Sequence, residues 1–203
     1  MSRMEDALLR FRRGEFVIVV DHKDRENEGD LVVAAQNATP QRINFMITHG
    51  RGLVCVPMTK KRLKELDLPI MVRKNEESAK CVFTISVDAR KGVTTGISAK
   101  DRARTIHLLA YPESKALDFV RPGHVFPLME SDHGLKGRKG HTEASLELCR
   151  LTGKHPAAVI CEILNSDGTM SRLPQLRVFS KKHDIPLITI EELIRHGGHH
   201  GND

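Results

Sequence analysis

The sequence predicts a single layered α/β (α+β) domain, in which helices flank a mixed β-sheet. Helical and strand-like apolar patterns alternate from one end of the chain to the other, as they do in layered α/β folds. The 203 residues contain no Pro/Gly/Ser-rich linker, internal repeat or shift in composition. One domain is therefore the simplest organisation for a chain of this length.

The first three elements are predicted from a capping signal and two apolar runs. Ser2 and Glu5 have the spacing of a capping box, and apolar residues at helical spacing follow them. Residues 16–20 are a short apolar run that predicts a strand. A polar segment separates this run from a second one at residues 31–35, which predicts another strand.

The middle of the chain continues the alternation. Thr39-Pro40 is expected to open a helix, because threonine is a good N-cap and proline suits the first helical position. Residues 53–56 predict a buried strand, and residues 83–87 alternate as a half-buried strand should. Ser98 and Asp101 resemble a further capping box, which opens the next helix.

Strands and helices also alternate in the final third of the chain. Strands are predicted at residues 125–129, 157–164 and 186–190. Thr142 is expected to cap a helix that runs to about Leu151. Residues 173–179 carry apolar side chains on one helix face, and Thr189 with Glu192 is expected to cap the last helix.

Composition places the chain among ordinary globular proteins, with 39% hydrophobic and 29% charged residues. No window approaches the run of about 18 apolar residues that a transmembrane helix needs. The first residues are charged rather than built around an apolar segment, so we expect no secretory signal. The four cysteines form no CxxC or CxxH pair, and we expect reduced, mostly buried thiols in a cytoplasmic protein.

The charge of the chain indicates an anionic partner. The formal net charge is +6, and the basic residues cluster in the segments KKRLK, KDRAR and KGRK. Such a surface suits either nucleic acid or a phosphorylated small molecule. Seven phenylalanines, one tyrosine and no tryptophan leave few rings on which bases could stack. This favours a small phosphate ester.

An unusually acidic segment connects the first two predicted strands. Five carboxylates lie within DHKDRENEGD: Asp21, Asp24, Glu26, Glu28 and Asp30. If the backbone is extended there, Glu26 and Glu28 project to the same side, and hard divalent cations such as Mg²⁺ prefer clustered oxygens. The alternative is a solvated polar turn without a ligand.

A basic, glycine-containing segment, KGRKGHTEASLEL, precedes the helix that Thr142 is expected to cap. Free amides and the positive end of a helix, together with Arg138 and Lys139, predict an anion site. His141 could ligate a metal, donate to a phosphate or simply help to cap the helix.

Two further residues are candidates for acid–base chemistry. His124 follows a Pro-Gly turn in RPGHVFPL, where a histidine is usually just a surface residue. Glu162 interrupts the apolar strand VICEIL, on the face opposite Cys161 and Ile163. That face is either exposed to solvent or covered. If it is covered, burial raises the pKa of the carboxyl and makes Glu162 a candidate acid or base.

Five motifs, in this order, closely resemble the 3,4-dihydroxy-2-butanone 4-phosphate synthase family: DRENEGDL, TGISAKDRARTI, RPGHVFPL, RKGHTEA and AAVICEILNSDGTM. The resemblance extends from about Glu5 to His196. We therefore expect a catalytic domain at residues 1–196. Residues 197–203 lack apolar side chains and are expected to form a flexible C-terminal tail.

The resemblance implies an enzyme of riboflavin biosynthesis. It would convert D-ribulose 5-phosphate into 3,4-dihydroxy-2-butanone 4-phosphate and formate, with Mg²⁺ or Mn²⁺ as the cofactor and up to two ions per active site. It also implies a homodimer whose active sites lie near the subunit interface. The expected ligand is the sugar phosphate, and neither nucleic acid nor a membrane is an expected partner.

Residue by residue, the resemblance assigns roles by motif position. Glu26 and His141 match the metal ligands, and His124 and Glu162 match the residues essential for catalysis. Glu28 is a candidate for a second metal position. The residues that match substrate-binding positions are Arg25, Glu26, Asp30, Arg138, Lys139, Gly140, His141, Thr142 and Glu162.

The chemistry explains these residue types. Removal of the C3 proton of a ketose gives an enediolate, whose charge a divalent cation would stabilise. Our hypothesis gives the proton transfers to Glu162 and His124, and the phosphate to Arg138 with Thr142. Asp30 would hold a sugar hydroxyl or act as a base.

Two rival functions remain open at this point. Another metal-dependent phosphosugar enzyme, such as an isomerase or aldolase, would share the enediolate step without releasing formate. A basic nucleic-acid-binding module would bind RNA in a salt-dependent manner. The five carboxylates argue against the second rival, because they would repel a phosphate backbone.

Overall fold

The computed structural model describes residues 2–197. Gly197 ends the last helix, so the predicted flexible tail otherwise lies outside the described residues.

Helices and strands alternate along the chain as the sequence predicts. The α-helices are α1 (Arg3–Arg12), α2 (Pro40–Phe45), α3 (Lys60–Glu65), α4 (Ala99–Ala110), α5 (Gly134–Gly137), α6 (His141–Leu151), α7 (Leu173–His183) and α8 (Ile190–Gly197). The strands are β1 (Val17–Val20), β2 (Gly29–Ala34), β3 (Cys55–Met58), β4 (Val82–Phe83), β5 (Val87–Ala89), β6 (Phe119–Met129), β7 (Ala158–Glu162) and β8 (Leu187–Thr189). A π-helix at Met46–Gly50 continues α2.

The strands form a mixed sheet in the order β4-β6-β3-β7-β2-β1-β8, and β5 pairs with the first half of β6. The pairs β1–β8 and β3–β6 are parallel, and the other neighbours are antiparallel. The predicted mixed sheet is therefore confirmed.

Apolar side chains cover both faces of the sheet. Ile18 and Leu31 belong to one buried cluster, which α2, α4 and α7 complete. Val19 and Val32 belong to the other, which α1, α6 and α8 complete. A sheet buried on both faces requires apolar residues at successive positions, and this explains the unbroken apolar runs of β1 and β2.

The predicted helix starts are largely confirmed. Ser2 and Glu5 form a capping box, with the Glu5 amide donating to Ser2 Oγ at 3.2 Å and the Ser2 amide donating to Glu5 Oε2 at 2.7 Å. Thr189 and Glu192 make the same reciprocal pair at α8, at 2.9 and 3.1 Å. Thr39 caps α2 ahead of a proline.

The expectation that Thr142 caps a helix is wrong. α6 begins at His141, and Gly140 is its N-cap residue with an extended backbone. Thr142 is buried within the first turn. A Cβ at position 140 would collide with the guanidinium of Arg138, so a larger residue there would force that side chain to move.

The single strand predicted at residues 83–87 is also wrong. β4 pairs with the C-terminal end of β6, whereas β5 pairs with its N-terminal half. Between the two, Thr84 Oγ1 donates to the carbonyl of Pro127 at 3.0 Å as the chain bends. Both pieces have strand-like sequence, so alternation alone does not reveal the bend.

Across residues 2–197, no helix has both the length and the apolar character needed to cross a bilayer.

Candidate active site

Asp21 organises the acidic segment. Its side chain is fully buried at the end of β1, and its two oxygens accept the amides of Glu26 at 2.9 Å and Glu28 at 2.8 Å. The Arg25 guanidinium also donates to it, at 3.0 Å. These bonds wrap the segment around one carboxylate, so it is a structured turn, and Asn27 takes a left-handed conformation with φ 56°.

Arg172 holds the same turn from outside. Its Nη1 donates to the carbonyls of Glu26 and Asn27, both at 2.7 Å, and lies 3.8 Å from Glu28 Oε1. Arg172 is 146 residues away from Glu26 in sequence. Sequence reasoning missed this residue, because no local pattern links it to the acidic segment.

Glu26 meets His141 at the centre of the site. His141 is the first residue of α6, and its Nδ1 lies 3.6 Å from Glu26 Oε2. Arg25 also donates to Glu26 Oε2. The contact with His141, together with that of Arg25, outweighs burial and lowers the pKa of Glu26 to about 2.

The environment of His141 favours its charged form. Burial opposes the charge, but Asp30 and Glu26 outweigh burial and raise the pKa of His141 to about 9. One ligand atom each from Asp21, Glu26 and His141 lie within 4.8 Å of one another. This cluster of oxygens with an imidazole could hold a divalent cation.

Asp30 and Glu162 face each other across two neighbouring strands. They are register partners in the antiparallel β2–β7 pair, on the sheet face that α6 covers. Asp30 is buried, its Oδ1 has no hydrogen-bond partner, and burial raises its pKa. Glu162 is half-buried, and its Oε2 accepts the amide of Leu53 at 2.8 Å. The sequence left open whether this side chain is exposed or covered, and the structure shows that Glu162 is only partly covered.

The start of α6 gathers groups suited to an anion. Arg25 Nη2 is buried and has no hydrogen-bond partner. It would lie 3.0 Å from a Cβ placed on Gly140, the N-cap of α6. The first amides of a helix have no intrahelical partner, so this end of α6 and Arg25 could bind the same phosphate.

Arg138 is already engaged by protein groups. Its Nη1 donates to the buried Glu143 at 2.8 Å, and its Nε donates to the carbonyl of Ala79 at 3.0 Å. Thr142 lies beside it in the first turn, with its Oγ1 3.9 Å from Cys81 Sγ. Lys139 is exposed and lines a separate cavity of about 880 Å³, which none of the central acids lines.

His124 makes its side-chain contact with a different acid. Its Nδ1 is 2.7 Å from Asp88 Oδ2, on the segment where β5 pairs with β6. Among the hydrogen bonds and ion pairs of residues 2–197, none joins His124 to Glu26, His141 or Glu162. Most of the other predicted site residues thus lie at one end of β2, β7 and α6, whereas Lys139 lines a separate cavity and the His124 ring contacts Asp88.

The chain matches the sequence profile of the family described as 3,4-dihydroxy-2-butanone 4-phosphate synthase over residues 5–196. It is 54% identical over 194 residues to the 3,4-dihydroxy-2-butanone 4-phosphate synthase of Agrobacterium fabrum, covering 96% of this chain and 91% of that protein. It is 53% identical to the riboflavin biosynthesis protein RibBA of Aquifex aeolicus, covering 96% of this chain but 48% of that longer protein.

Solved structures are also similar. A crystal structure of 3,4-dihydroxy-2-butanone 4-phosphate synthase in complex with two magnesium ions aligns with a TM-score of 0.91 and 42% identity, covering 97% of this chain and 96% of the other. RibBX of A. baumannii, a two-domain 3,4-dihydroxy-2-butanone 4-phosphate synthase, aligns with a TM-score of 0.92 and 48% identity, covering 96% of this chain and 57% of the other.

Proposed function

The chain belongs to the 3,4-dihydroxy-2-butanone 4-phosphate synthase family, and from this premise we propose which of its residues carry out the reaction. The enzyme converts D-ribulose 5-phosphate into 3,4-dihydroxy-2-butanone 4-phosphate and formate, a step of riboflavin biosynthesis. The assignment of residues rests on one observation. Glu26 Oε2 and His141 Nδ1 are 3.6 Å apart, and the two residues lie beside the Asp30–Glu162 pair.

The cofactor is Mg²⁺ or Mn²⁺, held by Glu26 and His141. Carboxylate oxygens within 4.8 Å of an imidazole nitrogen fit such an ion, and the related structure with two magnesium ions supports magnesium. The unpartnered Asp30 Oδ1 beside them fits a site built to receive a further group. When bound, the cation would stabilise the negative charge of the enediolate. Glu28 is the candidate for a second position.

Glu162 is the proton-transfer group within this cluster. The Leu53 amide fixes one of its oxygens and leaves the other free for the substrate. The buried Asp30 across the strand pair holds a sugar hydroxyl or acts as a second base, because its raised pKa brings it closer to neutral pH.

The substrate phosphate binds at the start of α6. The unpartnered Arg25 Nη2 and the first amides of the helix supply hydrogen bonds and positive charge. Arg138, Lys139 and Gly140 form the loop that leads into the helix, and His141 and Thr142 belong to its first turn. Since Arg138 is tied to Glu143 and Ala79, it shapes this loop as well as contributing charge.

The functional unit is a homodimer in which His124 of one protomer serves the active site of the other. Two features support it. Among the described residues, no hydrogen bond or ion pair joins His124 to the cluster within one chain. Exposed apolar side chains also flank both parts: Leu53 beside Glu162 is 44% exposed, and Ile97 near His124 is 52% exposed. Exposed apolar groups of this kind suit a subunit contact.

An Ile97→Asp variant tests this contact. Its sedimentation coefficient should fall from the value of a dimer to that of a monomer.

The enzyme acts in the cytoplasm. The four cysteines are free and three of them are buried, which suits a reducing compartment. Fractionation of cells that produce a tagged chain tests this proposal.

Proton NMR of the purified protein with D-ribulose 5-phosphate tests the function. We expect a formate signal with Mg²⁺ that excess EDTA abolishes. Formate that persists in EDTA would overturn the metal assignment. Isomerised sugar without formate would favour another enediolate-forming phosphosugar enzyme and overturn the proposed rearrangement.

A further inference from the structure

Asp88 and His124 are brought together by an irregular strand pairing. In β5 and β6, Val87 pairs with Val125, but the next residue, Asp88, pairs with Val120. The intervening residues of β6 therefore arch over Asp88. Gly123 lies at the closest approach, where a Cβ would overlap the Val87 backbone. Bulges of this kind re-aim side chains, and here the redirected residue is His124.

Both oxygens of Asp88 contact His124. The His124 amide donates to Oδ1 at 2.9 Å, and Nδ1 of the ring lies 2.7 Å from Oδ2. The Asp88 side chain is 8% exposed, whereas that of His124 is 42% exposed. The carboxylate is thus covered, while the ring reaches the surface.

This geometry fixes the state of the ring. A carboxylate only accepts hydrogen bonds, so Nδ1 must carry the proton. In the neutral ring the lone pair is then on Nε2, the atom farther from Asp88. Nε2 can accept a proton, and the charge that develops on the ring stays next to the carboxylate.

A third segment closes over the pair. Gly96 has φ 96°, and a Cβ there would lie 2.7 Å from His124 Nδ1 and 2.5 Å from the Asp88 carboxyl carbon. Asp101 fixes this segment by accepting the Thr94 hydroxyl at 2.6 Å and the Gly96 amide at 3.2 Å. The segment thus packs against the Nδ1 side of the ring and leaves the Nε2 side to the surface.

We propose that Asp88 is the positioning residue of His124: it holds the ring in the Nδ1–H tautomer so that Nε2 performs the proton transfer. This inference rests on the catalytic role proposed for His124. Asp88 does not touch the substrate, and it acts only through the histidine.

Asp88→Asn is the central test. Asparagine can still accept the His124 amide, but its NH₂ group would face Nδ1 and favour the Nε2–H tautomer. We expect formate turnover to fall by about 10²- to 10⁴-fold, the range for a general acid or base. The KM for D-ribulose 5-phosphate and the Mn²⁺ affinity should stay close to wild type. Asp118→Asn, an exposed carboxylate ahead of β6, is the matched control and should stay fully active.

Two readouts separate positioning from general damage to the fold. Ring ¹⁵N correlations, assigned by comparison with His124→Gln, should report Nδ1–H in wild type and Nε2–H in Asp88→Asn. Asp88→Glu retains a carboxylate and should keep the Nδ1–H tautomer and recover part of the turnover. The double variant Asp88→Asn/His124→Gln should be no slower than His124→Gln alone.

Three results would overturn the proposal: full turnover in Asp88→Asn, an unchanged tautomer in that variant, or a double variant slower than His124→Gln. Failure of the proposed function would look different, because wild type would then release no formate. Full turnover in His124→Gln would remove the catalytic role of the histidine, and with it this inference.

Discussion

Glu26 combines two interactions that predict a functional rather than a structural role. It is held by Arg25 and His141, yet its side chain is 32% exposed and belongs to neither apolar cluster. A residue placed in this way can be changed without opening a cavity in the core.

Glu26→Gln should therefore abolish turnover while the protein stays folded. The amide lacks the charge of the carboxylate, and we expect a loss of at least about 100-fold in formate production, as for groups that support a metal site. Circular dichroism and thermal unfolding should stay near wild type. Glu113→Gln, an exposed carboxylate away from the site, is the matched control. Retained turnover in Glu26→Gln would refute the metal assignment.

His141 should couple metal binding to pH. Its pKa of about 9 means that the imidazole is protonated at pH 8, whereas a metal binds only the neutral ring. Binding must therefore release about one proton at pH 8, and affinity should rise about tenfold per pH unit until pH 9 and then level off. Calorimetry with Mn²⁺ in buffers of different ionisation enthalpy measures the release. Binding without a proton at pH 8 would contradict the assignment.

At the scale of elements, the segment before β3 holds the Glu162 side chain in position. The π-helix at Met46–Gly50 leads into Gly52 and Leu53, and the Leu53 amide is the hydrogen-bond donor to Glu162. A Cβ on Gly52 would lie 2.7 Å from the backbone nitrogen and oxygen of Glu162. β7 can approach this segment so closely only because residue 52 is glycine.

Gly52→Ala should displace Glu162 and slow formate release. We expect a loss of turnover of about 10- to 100-fold with little change in Mn²⁺ affinity, because a shift of about 1 Å suffices for such a loss. Gly153→Ala is the control: its Cβ would meet nothing within 4 Å, although its φ of 67° makes the substitution strained. The control should lose some stability and no turnover. Equal turnover in both variants would argue against a positioning role for this segment.

At the scale of the whole molecule, the proposed supply of His124 by the partner protomer has a direct consequence. If the partner supplies His124, then a Glu26→Gln chain and a His124→Gln chain complement each other. One of the two sites in a mixed dimer then contains both native residues.

Co-production of the two variants tests this arrangement. Each variant alone should be inactive, and a random mixture should recover about a quarter of wild-type turnover, since half the dimers are mixed and each has one intact site. No recovery in dimers confirmed to be mixed would show that each site is built from one chain.

Much of the architecture follows from local sequence. Capping boxes at Ser2 and Thr189 locate two helix starts because their partners lie three residues away. Apolar runs locate β1, β2 and β7 because a sheet covered on both faces needs them. The bend between β4 and β5 escaped prediction because it depends on pairing with distant residues of β6. The N-cap of α6 at Gly140 escaped prediction because it has no capping side chain.

The sequence by itself determined the chemical composition of the site: an acidic turn, a basic segment at a helix start, and the motifs of one enzyme family. Tertiary structure alone decided which of these groups meet. Asp30 faces Glu162 through strand register, Arg172 reaches the Glu26 turn across 146 residues, and His124 pairs with Asp88 instead. The physical reason is that hydrogen bonds, burial and pKa shifts depend on distances in space, whereas local sequence patterns report only neighbours along the chain.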